Sequence, residues 1–296
     1  MKTRVFIGLV TYPGSRYPQS AGPRGLAAQV VDLLRSSELA DFNVSLEICS
    51  QNLLIPSELP LGHREIRASI NAELGVESDW RVYLNPELSR WQLAWFMKAR
   101  KLYRYLKFTP PWENKKSKSG PGARMLIRLA NIELAHLSLL KAAIDAEADW
   151  VLILEDDAYV ESHSKFASEI ATFIASNPDA SYVNLSESFS AGRLGIEAEF
   201  SQIGNWGSNS KILATTKPVT NTVCAILYSS AFAQRLLEEF ETIPMRPVIP
   251  IDWKLNQAIM NLYLKGVLGS GSSWVVDPAP IVQGSMHNPR SSKVGK

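Results

Sequence analysis

Residues 150–157 read Trp-Val-Leu-Ile-Leu-Glu-Asp-Asp, and this run constrains the fold more than any other part of the chain. Five apolar residues in succession present no polar face, so a strand formed here has to be covered on both sides. The run then drives into Glu155, Asp156 and Asp157. Three adjacent carboxylates repel one another, and each resists leaving water. At the end of a buried strand such a cluster reads either as a solvated acidic turn or as a site for a compensating positive charge.

The remaining segments supply the layers that a doubly covered strand needs. Residues 4–10 (RVFIGLV) are another short, nearly all-apolar run, and 43–49 (NVSLEIC) alternate as a strand does. Between them, after Gly22, Pro23 and Gly25, LAAQVVDLLRSSEL carries apolar residues at helical spacing. Strand, helix and strand in that order predict a right-handed parallel crossover. Residues 123–146 read as one long helix leading to the 150–154 strand, and 181–186 and 222–229 read as further strands. The pattern predicts an α/β fold, with an open, mixed, mostly parallel sheet flanked by helices and binding sites at the carboxyl ends of its strands. One catalytic domain is expected over 1–290. Residues 1–110 and 123–290 read as its two halves. Between them 111–122, rich in Pro, Gly, Ser and Lys, read as a flexible loop, and 291–296 read as a basic tail.

The chain has 296 residues, 46% hydrophobic and 20% charged, which excludes a disordered main state. Cys49 and Cys224 lie in apolar stretches without ligand spacing and read as small core residues in a reducing compartment. The apolar run at the start stops at Thr11, short of an exported leader, so a cytoplasmic protein is expected. Net charge is +2 but unevenly spread, because residues 98–128 hold ten Lys/Arg against the single acid Glu113. That window overlaps WQLAWFMKARKLYRYLKF (91–108), where aromatic residues interleave with bases. The default reading is a helix packed by its aromatic face with its bases in solvent. The alternative is peripheral contact of 91–118 with an anionic lipid layer at the inner membrane face. No nucleic-acid partner is expected.

In extended backbone Glu155 and Asp157 share one face and Asp156 takes the other. Two carboxylates on one side of a cleft are half of a hard-cation site for Mn²⁺ or Mg²⁺. Thr11, Tyr12 and Arg16 follow the first strand, where such folds seat a nucleotide. There Tyr12 reads as a base-stacking or an ordinary loop aromatic, and Arg16 as a phosphate partner or a surface charge. Asp252, after a Pro-broken run at the start of a helix, reads as an N-cap or a general base, with Glu187 the second candidate base. His136, among Leu134, Leu137 and Leu140, reads first as a packed helix histidine. His287 reads as a tail residue or a group completing the metal shell.

The segment HLSLLKAAIDAEADWVLILEDDAYV, with eighteen residues between His136 and Glu155, resembles glycosyltransferase family 25, which contains bacterial lipooligosaccharide sugar transferases and collagen galactosyltransferases. The resemblance extends through NTVCAILYSSAFAQRLLEEF, PIDWKLNQAI and DPAPIVQGS, over roughly residues 124–287. It departs where the family carries Gly-Glu and this chain Arg128-Leu129, and where Ala135 replaces a Ser. The resemblance implies a GT-A-like fold, a nucleotide-sugar donor such as a UDP-sugar, a divalent metal and a glycan or lipid-linked acceptor. It makes Asp157 the direct metal ligand with Glu155 as its partner and Asp156 a nucleotide contact, and it places His136, Gln283 and Ser285 against substrate. A metal-dependent, inverting glycosyltransferase is therefore expected. A nucleotidyltransferase on a similar fold, or a non-catalytic glycan or membrane-surface binding module, are the alternatives.

Overall fold

The structure is a computed structural model that describes residues 2–11, 25–38, 41–50, 63–108, 121–186, 200–217, 222–243 and 250–284. The expected first unit is present. Strand β1 (Thr3–Thr11) leads through helix α1 (Leu26–Arg35) to β2 (Phe42–Ser50), and the two strands lie side by side in parallel. Two helices follow, α2 (His63–Leu84) and α3 (Arg90–Phe108). The long helix expected over 123–146 is α4 (Pro121–Asp145), which begins two residues inside the span read as loop. Residues 109–120, like the basic tail, lie outside the described residues.

Helix α4 delivers the chain to β3 (Trp150–Glu155), the acid-terminated strand. The short β4 (Ala158–Tyr159), α5 (His163–Ser176) and β5 (Tyr182–Asn184) come next. A hairpin of β6 (Phe200–Trp206) and β7 (Ser210–Thr215) follows, which periodicity had not announced. The chain closes with β8 (Ala225–Ser229), α6 (Ser230–Thr242), α7 (Ile251–Leu264), β9 (Ser273–Asp277) and β10 (Val282–Gln283).

Eight strands form one open sheet in the order β2-β1-β3-β8-β5-β9-β7-β6. Strands β1, β2, β3, β5, β6 and β9 run one way, and β7 and β8 run against them. The fold is thus α/β with an open mixed sheet flanked by helices, and β3, an interior strand third in the order, is buried as the sequence required.

Alternation along β1 and β3 feeds two cores. Val5, Ile7, Leu9, Leu152 and Leu154 pack with α1 and α5 on one face, whereas Phe6, Val10, Val151 and Ile153 pack with α4, α6 and α7 on the other. Gly8 lets α4 settle onto that second face. A Cβ built there would lie 2.7 Å from Ile153 Cδ1 and 3.2 Å from Leu139 Cβ.

Helix α3 corrects the default expectation for the aromatic-basic stretch. Tyr105 packs inward with the α2 cluster and donates to Asn71 Oδ1 at 2.7 Å, but four other aromatic residues do not. Trp91, Trp95, Phe96 and Tyr103 are exposed, while Arg100 and Arg104 turn toward α2 and pair with the buried carboxylates of Glu77 and Glu73. A small apolar cluster of Ile66, Ile70 and Leu74 on α2, joined by Met97 of α3, completes that contact.

Candidate functional site

The acids stand where three parts of the chain end together. Strands β1 and β3 are parallel, so Thr11 and Glu155 finish at the same edge of the sheet. Strand β8 is antiparallel to β3 and begins at that edge, where the Glu155 amide donates to the Cys224 carbonyl at 2.8 Å. The β4–β10 ribbon closes one side, with Gln283 opposite Ala158 and the Gly284 amide donating to the Asp157 carbonyl at 2.9 Å.

The strand ends at Glu155, and Asp156 and Asp157 form a turn. Simple alternation therefore does not govern the last two acids, yet the turn sorts them in the same sense. Glu155 continues the face of Val151 and Ile153 toward α4, where His136 Nε2 lies 3.2 Å from its Oε1. Asp156 accepts a bond from Thr11 Oγ1 at 3.4 Å. Asp157 accepts one from Cys224 Sγ at 3.4 Å.

Ligand-type atoms of Glu155, Asp157 and Cys224 lie within 4.8 Å of one another, a spacing that a single cation can bridge. Burial, and then the charges of Asp157 and Glu155, push the Cys224 thiol well up, so the free protein holds it protonated. The cluster's formal charge thus resides on carboxylate oxygens, a donor set that fits a hard divalent ion. The sequence had marked Cys224 only as core. Its place beside Asp157 follows from the β3–β8 pairing, for which no local signal exists.

Asp252 stands in the first turn of α7, whose N-cap is Pro250, so the capping role weighed for Asp252 is not the one it fills. Burial, followed by the nearby charges of Glu155 and Glu73, raises its carboxyl to about 6, against the pull of backbone amides at Trp253 and Asp252 itself. Beside it, Trp253 meets Trp80 of α2 edge to face with centroids 5.2 Å apart.

Behind this wall an ion pair joins α7 to α4. Lys254 Nζ bonds Glu133 Oε1 at 2.6 Å with both side chains buried. Glu133 lies one turn before His136 on α4, and Lys254 is two residues after Asp252 on α7. The pair therefore fixes the helix that orients Glu155 against the helix that presents Asp252. Neither residue was singled out by sequence, because each reads as an ordinary helix charge until its partner 121 residues away is known.

Of the residues marked in advance, the structure brings together Thr11, His136, Glu155, Asp156, Asp157 and Gln283, and sets Asp252 within electrostatic range of Glu155. His136 is buried and turned to Glu155, so it acts on a carboxylate. Tyr12, Arg16, Glu187, Ser285 and His287 lie outside the described residues.

No protein-family model and no curated protein matches the chain. Among solved structures, mannose-1-phosphate geranyltransferase from Thermus thermophilus is similar over 94% of this chain and 74% of its own, at 11% identity and a TM-score of 0.28. A superposition that loose carries no weight for activity.

Proposed function

We propose that the protein is a metal-dependent, inverting glycosyltransferase that takes a sugar from a nucleotide donor, most simply a UDP-sugar, to a glycan or lipid-linked hydroxyl. One observation carries this reading. Two carboxylates converge on a cation-sized space at the carboxyl end of a central strand, and a third acid, Asp252, lies near enough to feel the charge of Glu155. The resemblance of residues 124–287 to glycosyltransferase family 25 supports the same assignment.

Glu155 and Asp157 would hold Mn²⁺ or Mg²⁺, which when bound neutralises the departing diphosphate. His136 would steady Glu155, and Thr11 would hold Asp156 toward the nucleotide side. Asp252 is the general base of choice. The acceptor oxygen attacks the anomeric carbon, the carbon–oxygen bond to the diphosphate breaks with its electron pair, and the hydroxyl proton passes to the Asp252 carboxylate. A base with a pKa near 6 is ionised at neutral pH and basic enough to accept that proton.

Titration calorimetry with UDP, with and without Mn²⁺, tests the donor half. Binding that needs the metal in the native chain and is lost in Asp157→Asn is expected. Metal-independent binding, or none in a folded sample, counts against the proposal. Release of pyrophosphate in turnover would assign the same acids to nucleotidyl transfer instead.

A further inference from the structure

Helix α3 is built inside out. On a surface helix the apolar stripe ordinarily faces the core and the charges face water. Here the half-buried residues are Leu93, Met97, Arg100, Arg104 and one aromatic, Tyr105. The arginines are neutralised from below, since Glu77 accepts from both Arg81 and Arg100 and Glu73 pairs with Arg104. The opposite stripe follows helical spacing through Trp91, Trp95, Leu102 and Leu106. These side chains are 70%, 59%, 62% and 53% exposed. Tyr103 and Phe96 widen it on one flank, also exposed.

Leaving four large apolar side chains mostly in water forgoes the stabilisation that burying them would bring. Two buried glutamates hold the helix in this orientation all the same. Nothing else in the described residues presents an apolar face of this size together with this charge. Arg90, Lys98, Lys101 and Lys107 are exposed around the stripe, and the nineteen-residue helix contains no acid. Lys98 lies over the Trp95 ring at 5.7 Å and Lys107 over Tyr103 at 5.9 Å, so their stems follow the aromatic surface and their ammonium groups ring its edge.

We infer that α3 is the docking element by which this protein lies on an anionic lipid bilayer. The stripe would sit at the boundary of headgroups and acyl chains, where Trp and Tyr are favoured. The four bases would meet anionic headgroups. A second copy of the chain is a poorer occupant, because a two-fold contact would oppose four positive charges to four with no acid between them. A polyanion such as RNA would satisfy the bases but leave Leu102 and Leu106 in water. The element that carries the surface is linked to the proposed active site by two helix contacts. Helix α3 packs on α2, and α2 packs on α7 through the Trp80–Trp253 contact beside Asp252. The docking itself does not depend on the transferase reading.

Co-sedimentation of the full chain with large vesicles tests this, comparing phosphatidylcholine alone with phosphatidylcholine carrying about one-third phosphatidylglycerol. Binding should favour the anionic vesicles and weaken with salt. Both Trp91→Ser/Trp95→Ser/Leu102→Ser and Lys98→Glu/Lys101→Glu/Lys107→Glu should lower the partition coefficient by about tenfold or more. Because these side chains point into solvent, each variant should keep the native thermal transition, which is recorded on the same samples. Failure to bind anionic vesicles overturns the proposal. So does binding that both variants retain, tighter binding to a single-stranded oligonucleotide than to vesicles, or a native dimer in sedimentation velocity that the serine variant dissolves.

Discussion

At the scale of single residues Asp252 is the most informative group, because its environment affects stability and chemistry in opposite directions. Its carboxyl titrates near 6 in the folded chain and near 3.8 when free, so folding binds a proton between those values. The native state keeps its full stability below pH about 4 and loses some as pH rises through about 6. Two pKa units correspond to at most about 3 kcal/mol, less for a half-buried group that water partly screens. Asp252→Asn should therefore raise the thermal transition at pH 8 and leave it unchanged at pH 4, as scanning calorimetry at the two pH values will read. The same substitution should lower kcat by about 10²–10⁴-fold if Asp252 is the base. Because turnover as proposed needs Mn²⁺, which screens Glu155, kcat/KM should climb with pH at or below about 6. Sequence alone marked this acid, since Pro250 breaks the run before it, but gave no access to its pKa. Part of the shift is the charge of Glu73 on α2, and Trp80 of the same helix packs on the neighbouring Trp253, both from a stretch far earlier in the chain that carried no recognised motif.

At the scale of elements the decisive contact is the seating of α4 between the sheet and α7. Burial pushes the Glu133 carboxyl up and Lys254 pulls it back, leaving it raised on balance. Lys254→Met removes the partner and leaves a buried charge, which should cost about 3–5 kcal/mol in urea unfolding at pH 8. The loss should shrink as pH is lowered and Glu133 takes up a proton. Adding Glu133→Leu should bring stability back to within about 1 kcal/mol of native, because a buried pair replaced by apolar side chains is often neutral. Activity should not return in the double variant if the pair aligns His136 with Asp252. On the sheet side, Gly8→Val should cost about 1–3 kcal/mol by forcing Leu139 and Ile153 apart, measured in the same titration. Periodicity found α4, β1, β2 and β3 almost to the residue, since each has a strong local pattern. It did not find the β6–β7 hairpin, whose outer strand is nearly all exposed and so lacks an apolar period. Nor could it orient α3. Its aromatic stripe is as regular as a core stripe, and only the buried acids of α2 decide which side faces in.

At the scale of the molecule, the sheet joins what the linear order separates. Strands β2, β1 and β3 come from the first half of the chain and its middle, and β8 and β5, placed next to them, from the second. The acids end one, Cys224 precedes another, and Asp252 approaches from a helix packed beneath both. A ligand seated there as proposed would meet segments as far apart as residues 11 and 283, so its binding energy would be shared across the sheet. The chain should then unfold in one calorimetric transition, with van't Hoff and calorimetric enthalpies equal. UDP with Mn²⁺ at about a hundred times their dissociation constant should stabilise that single transition by about 2.7 kcal/mol, and either alone by much less. If residues 1–110 and 123–284 were separately stable bodies, two transitions would appear and the ligand would move only one. A shared shift is what a site assembled across the β1–β3–β8 junction demands, and the Asp157→Asn chain, folded but without the metal-dependent increment, supplies its control.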